Sequence, residues 1–103
     1  MNCSRNDIIL LPIPFTDLAS RKVRPAIVLG KNGADLFLVP ISSVLANTDF
    51  PLKDWRSAGL NVASGVKAQS ATVEERLAVK IIGTLTPNDA SILDTHLRNW
   101  LNL

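Results

Sequence analysis

Asp7-Ile8-Ile9-Leu10-Leu11-Pro12, Pro14-Phe15-Thr16-Asp17-Leu18 and Arg24-Pro25-Ala26-Ile27-Val28-Leu29 form the stretch that decides the fold. The run Asp7 to Pro12 is apolar, too short for a helix and closed by prolines, so it predicts a strand. Pro25 to Gly30 carries β-branched residues and ends on glycine, which predicts a second. Between them lies a proline-punctuated loop with Arg21, Lys22 and Arg24, and no acid occurs between Asp17 and Asp35. Guanidinium and ammonium groups are thereby held at the rim of a small β-structure, where a phosphate can be gripped. Charge alone fits a solvated loop equally well.

Outward from this stretch, Lys31-Asn32-Gly33 is a turn, because Asn-Gly readily adopts positive φ. Asp35 to Ile41 returns as an antiparallel partner, with Pro40 marking an edge or exit position. Thr48 to Lys53 reads as a short strand interrupted by Pro51, and Asp54 to Ala58 as a single helical turn before Gly59. Ser64 to Ser70 and Lys80 to Leu85 read as further strands, and Glu74-Glu75-Arg76 as a solvated turn. The last segment is a helix: Thr86 is the N-cap, Pro87 the first helical residue, and Asp89 completes a capping box. Ala90, Leu93, Leu97, Trp100 and Leu101 share one face at helical spacing. Five or six short, mostly antiparallel strands and one C-terminal helix predict an α+β chain, a strongly curved sheet or partial barrel with the helix packed on it.

At 103 residues the chain is expected to be one domain, residues 1–103, whose modest core a stable dimer would support. An apolar fraction of 47% excludes a disordered tail. No apolar run approaches the roughly 20 residues needed to cross a bilayer. The first ten residues do not resemble a cleaved signal, and Cys3 alone cannot form an internal disulfide, so a cytoplasmic location is expected. A net charge of +2 is far from the dense basic surface of a strong non-specific DNA binder. One His and one Cys cannot supply the usual ligands of a zinc site, and no closely spaced carboxylates suggest calcium or magnesium. The consistent expectation is chemistry with neither metal nor cofactor.

The opening stretch resembles the MazF/PemK (Kid-type) toxins, whose N-terminal region reads much like D-I-x-L-x-P-x-P-F-T-D-L, then R-P-A-x-V-L. The resemblance continues in order through Phe37 to Ser42, Asp49 to Leu52, Ala58-Gly59-Leu60, Val66-Lys67-Ala68 and Ile82 to Pro87, covering Asp7 to Leu103. Departures are Asn6 where the family has glycine, Gln69 and Ser70 where many members carry an acid and a lysine, and a loop Ala19-Ser20-Arg21 without glycine. Classical members also place a glutamate in that loop, where this chain has no acid after Asp17. Asn tolerates positive φ, so the turn at Asn6 can survive.

The resemblance implies an SH3-like barrel with a C-terminal helix, a two-fold homodimer, and cleavage of single-stranded RNA without a metal. In that reaction the RNA's own 2′-hydroxyl attacks the adjacent phosphorus, giving a cyclic phosphate and a free 5′-hydroxyl. Arg24 matches the motif arginine and is expected to stabilise the phosphorane. Ser42 matches the hydroxyl residue at the end of the third strand, with Ser43 beside it. Thr16, Arg21 and Lys22 would line the substrate loop, and Lys67 would contact the RNA backbone. The implied partner is a small antitoxin whose flexible acidic tail occupies the RNA groove, with no membrane involved. Two other readings remain: a gyrase-binding poison of the CcdB type, acting through Trp100, and a degenerate copy that binds antitoxin or RNA without cutting. His96, beside the Leu93–Leu97–Trp100 stripe, reads as structural, and Trp55 as a surface anchor.

Overall fold

The computed structural model describes residues 1–12 and 22–103. The first strand, β1 (Asp7–Pro12), has the bounds its sequence predicts. It is entered through Asn6, whose φ of 74° is the positive value expected of an asparagine standing in for glycine. β2 (Val23–Asn32) is longer than the Pro25 to Gly30 run, and β3 (Asp35–Ser42) follows it. The turn between them is shifted from the expected Asn-Gly. Asn32 still pairs with Asp35, so Gly33 and Ala34 are the two turn residues. Gly33 has φ 61° while Ala34 is not left-handed, the pattern of a turn with glycine at its first central position.

Past β3 come a 3-10 turn (Leu45–Asn47), β4 (Phe50–Pro51) and β5 (Gly65–Val66), then β6 (Ala71–Glu74), a second 3-10 turn (Glu75–Leu77), β7 (Lys80–Thr84) and α1 (Pro87–Leu101). Two expectations are corrected here. The Ser64 to Ser70 run contracts to β5, with β6 an unpredicted strand after it, and Thr48 to Lys53 contracts to two paired residues. Val66 is the reason for both: it pairs with Phe50 on one side and Ile41 on the other. The chain must then leave that register to pair Ala71–Glu74 with the first half of β3. Asp54 to Ala58 is a helical turn as expected, closed by the Ala58 amide on the Asp54 carbonyl at 3.1 Å.

The described strands number seven, in the order β4-β5-β3-β2-β1-β7, with β6 on β3. The sheet is curved but does not close into a barrel. Pro40 lies in a central strand, not at an edge. Its carbonyl accepts from the Lys67 amide at 3.1 Å. Its nitrogen faces the same side, between the end of the β6 pairing at Leu38 and the start of the β5 pairing at Ile41, where no ladder bond is required.

Both faces of β1 are buried. Ile8, Ile27, Val39, Ile41, Val66 and Leu93 belong to one core beneath α1; Ile9, Leu11, Ala26, Val28, Leu36 and Leu38 belong to another, with Cys3. Each Val, Leu or Ile among them contributes about 1.5–3 kcal/mol when fully buried. On α1, Ala90, Leu93, Leu97 and Trp100 pack inward as predicted, joined by Ile92, whereas Leu101 is 62% exposed. Thr86 caps the helix through Asp89 N at 3.3 Å. Asp89 does not complete a capping box: it is fully buried, and its carboxylate accepts from the amides of Lys53 (3.0 Å) and Asp54 (2.8 Å).

That link ties the segment after β4 to the helix, and a pair of glycines seats it on the sheet. A Cβ on Gly83 would collide with the Ala58 carbonyl, and one on Gly59 with the Ile82 carbonyl. Ala58 and Gly59 are thus laid against β7, at the start of the segment that forms one wall of the site.

Candidate functional site

A groove of about 640 Å³ opens on the helix-facing side of the sheet. Its floor is a row across three strands: Leu10 pairs with Pro25 on β2 and with Lys80 on β7. Ile41 and Leu60, from the helix-side core, close the bottom. One wall is the exit of β3 at Ser42, Ser43 and Val44. The other is the Gly59 to Ser64 segment, presenting Asn61 and Val62.

Arg24 and Lys80 are the cationic residues of the groove's lining. Both are exposed, and neither side chain has a hydrogen-bond or ion-pair partner among the described residues. No described acid lines the groove. Acids elsewhere are engaged: Glu75 pairs with Lys31 at 2.8 Å, and Asp94 with Arg98 at 2.9 Å and Arg5 at 3.2 Å. Those partners hold the carboxyls of Glu75 and Asp94 below the usual carboxylate range, Lys31 and Arg98 being the largest causes respectively. The groove is therefore a place of positive charge, suited to an anion.

Ser42 is half-buried, and its Oγ accepts a hydrogen bond from the Val44 amide at 3.1 Å. The hydroxyl is thereby fixed at the tip of β3 with its proton left to donate outward. Ser64, by contrast, is buried and spends its proton on the Val62 carbonyl at 2.9 Å, which shapes the opposite wall.

Of the residues singled out from sequence, Arg24, Ser42 and Ser43 come together in this groove. Lys67 does not line it: it sits one residue past β5, held through its backbone at Pro40. Lys22 is exposed directly before β2, and Thr16 and Arg21 lie outside the described residues. Lys80 and Asn61 were missed. The strand from Lys80 was legible, but nothing local to it signals that it pairs with β1. Among the described residues no group of three His, Cys, Asp or Glu side chains is placed to hold a metal ion. No helix among them is long and apolar enough to cross a membrane.

His96 is away from the groove. Its ring stacks on Phe50, with centroids 4.0 Å apart and planes 1° from parallel, and lies 5.5 Å from Trp100. Trp55 packs against the helix-side core and carries Arg56 over its ring at 4.8 Å. The Glu74–Arg76 turn is less solvated than expected, since Glu75 also accepts from the Cys3 amide at 2.9 Å.

No protein-family model matches the chain, and no curated protein matches it in sequence. Among solved structures it is similar to the Mycobacterium tuberculosis toxin MazF-mt6, with a TM-score of 0.74 at 18% identity over 94% of this chain and 97% of that one. It is also similar to an endoribonuclease in complex with its cognate antitoxin from a mycobacterial species, with a TM-score of 0.73 at 18% identity over 100% of this chain and 97% of that one. The likeness spans the sheet and the helix alike, and the resemblance carried by the opening motif is borne out at the level of fold. The chain has the fold of the MazF toxins.

Proposed function

We propose that this chain is the toxin of a type II toxin–antitoxin pair, an endoribonuclease that cuts single-stranded RNA with sequence preference and without a metal. The observation that carries the reading is the groove, whose lining includes Arg24 from β2 and Ser42 from β3 and no described acid. The two similar structures, one a toxin and the other an endoribonuclease with its antitoxin, support it.

In this mechanism the RNA supplies its own nucleophile. The 2′-oxygen bonds to phosphorus as its proton departs, the bond to the 5′-oxygen breaks, and that oxygen takes up a proton. Atoms balance without water or cofactor, leaving a 2′,3′-cyclic phosphate and a 5′-hydroxyl. Arg24 stays charged throughout and offers a planar fork to the non-bridging oxygens as negative charge builds on them. Ser42, already oriented by the Val44 amide, donates to the same phosphate. Ser43, Lys67, Lys22, Arg21 and Thr16 are assigned to contacts with the rest of the RNA.

The natural inhibitor is a cognate antitoxin whose acidic tail places carboxylates where phosphates would lie. The toxin acts in the cytoplasm as a homodimer. Exposed Phe37, Leu101 and Leu103, which border an apolar concavity of about 340 Å³, favour association with a second copy. A gyrase-binding role through Trp100 is disfavoured, because that ring packs on the helix-side core and lies 6.1 Å from Phe50.

The test is cleavage of a mixed-sequence single-stranded RNA in EDTA by wild type and by Arg24→Ala. Products ending in cyclic phosphate, reduced at least about 100-fold in the variant, are expected. Absence of cleavage by folded wild-type protein sinks the enzyme reading and leaves antitoxin binding and gyrase inhibition to be measured.

A further inference from the structure

We propose that the helix-side groove holds a nucleobase of the RNA and selects a keto base, guanine or uracil, through Asn61 and Lys80. The inference rests on the RNA reading above and deepens it, giving the groove a base-reading subsite.

The two faces of the sheet carry the argument. Leu10 lies between Ile9 and Leu11, which belong to the core with Cys3, so it projects to the helix side. Pro25 and Lys80 stand two residues from Ile27 and Ile82, which belong to or pack on the helix-side core, and project the same way. The register sets Pro25, Leu10 and Lys80 in one row across β2, β1 and β7. Arg24 pairs with Leu11, on the other face, and is no part of that row. A nucleotide carries its base away from its phosphate, so the base pocket does not draw on Arg24.

Leu10, Pro25 and Ile82 are half-buried, with Ile41 and Leu60 below them, which gives a flat ring an apolar surface to lie on. Polar groups meet above that surface. Ala58 approaches Gly83 and Gly59 approaches Ile82, so the wall runs antiparallel to β7 and brings Asn61 toward Lys80. Both residues are exposed and line the groove. Neither side chain has a hydrogen-bond or ion-pair partner among the described residues.

Their chemistry picks the base. Uracil presents N3–H beside O4, and guanine presents N1–H beside O6. Cytosine and adenine present the reverse, a bare ring nitrogen beside an amino group. An asparagine amide has a donor end and an acceptor end, and matches either pattern by turning over. Lysine only donates. Beside that amide it favours a carbonyl and repels an amino group, which decides between the two patterns. A lysine on a terminal strand has a blander use, since its charge deters pairing with another chain's edge. That use does not require Lys80 to share a face with Leu10 and Pro25, or to meet Asn61.

The experiment measures binding of 2′-O-methylated, uncleavable oligo(U) and oligo(C), whose bases differ only at that edge, to wild type, Lys80→Met, Lys80→Glu and Asn61→Ala. Product ends from a randomised single-stranded RNA are sequenced for the same proteins. Wild type should bind oligo(U) at least about fivefold more tightly than oligo(C), the lower end of what a good base-edge contact discriminates. Lys80→Met should bring that ratio close to one, and Lys80→Glu should invert it. Asn61→Ala should weaken binding of both strands. Among the product ends, guanine and uracil should be enriched at one position in wild type, and Lys80→Met should flatten that position alone.

Wild type that binds both strands equally overturns this proposal and leaves the ribonuclease reading standing. So does an unchanged ratio in Lys80→Met, even if both strands weaken, because that is the mark of a phosphate contact or a damaged fold. A wild-type affinity in Asn61→Ala overturns it too. Wild type that shows the expected ratio but cuts nothing overturns the ribonuclease reading and keeps the base pocket. Wild type that neither binds nor cuts RNA overturns both.

Discussion

The backbone amide of Asp54 donates to the buried carboxylate of Asp89 at 2.8 Å, and the Asp54 carboxylate accepts from the hydroxyl of Thr86 at 2.7 Å. The N-terminus of α1 and the segment leading to the groove wall are thereby locked to each other in both directions. Asp89 also holds the Lys53 amide at 3.0 Å. Asp89→Ala removes two hydrogen bonds to a charged acceptor and strands two amides beneath the helix. A loss of about 3 kcal/mol is expected in urea unfolding. Asp89→Asn should cost about 1–2 kcal/mol, because it keeps one acceptor and turns an N–H toward a donor. Both variants should also lose affinity for RNA, since the wall bearing Asn61 and Val62 is fixed through this lock.

Gly83 and Gly59 make the second lock, and they are glycine for lack of space. Gly83→Ala drives a methyl into the Ala58 carbonyl. A destabilisation of about 1–3 kcal/mol is expected, with weakened RNA binding. Gly30→Ala is the control. There the new Cβ would sit 3.9 Å from the Phe37 ring, an ordinary contact, so stability should change by less than about 1 kcal/mol. Equal effects at the two positions would show that the close approach of Gly83 to Ala58 is not a constraint.

Elements fixed by local chemistry were legible from sequence. Pro12 marks the end of β1, and Thr86-Pro87 sets the start of α1, so both were placed where the structure has them. Elements defined by a distant partner were not. Val66 pairs with Ile41 and Phe50, which breaks the Ser64 to Ser70 run in a way nothing inside that run can signal. Asp89 looked like a capping-box acid because the spacing fits, yet its partners lie 35 and 36 residues away in sequence. The site divides the same way. Arg24 and Ser42, singled out from motifs, line the groove, while Lys80 lines it only through the β1–β7 register.

Glu75 makes stability depend on acid. Its carboxylate accepts from Lys31 Nζ at 2.8 Å and from the Cys3 amide at 2.9 Å, and its pKa is lowered, mainly by Lys31. A carboxyl with a depressed folded-state value adds stability above its unfolded value and loses it as pH falls through the folded one. The contribution should therefore be intact at neutral pH and disappear on acidification below about pH 4. Glu75→Gln should unfold more easily than wild type at neutral pH, with the difference closing in acid. A constant difference from neutral to pH 3 would mean the ion pair contributes nothing that titrates.

His96 is the residue a ribonuclease invites one to suspect, and its packing argues against the suspicion. Its ring lies flat on Phe50 at 4.0 Å and against Trp100 at 5.5 Å, and it does not line the groove. Aromatic pairs of this kind contribute about 0.5–1.5 kcal/mol beyond the area they bury. His96→Phe keeps a flat ring in the stack and removes every proton the imidazole can exchange. Cleavage at neutral pH should stay within about twofold of wild type, and the pH–rate profile should be unchanged, as expected when the group removed is not the acid or base. His96→Ala should lose about 1 kcal/mol or more of stability through the vacated stack, while folded protein retains its rate per molecule. A loss of 100-fold or more in His96→Phe, in protein that melts like wild type, would place the imidazole in the proton transfers and move the reacting phosphate away from Arg24 toward the helix.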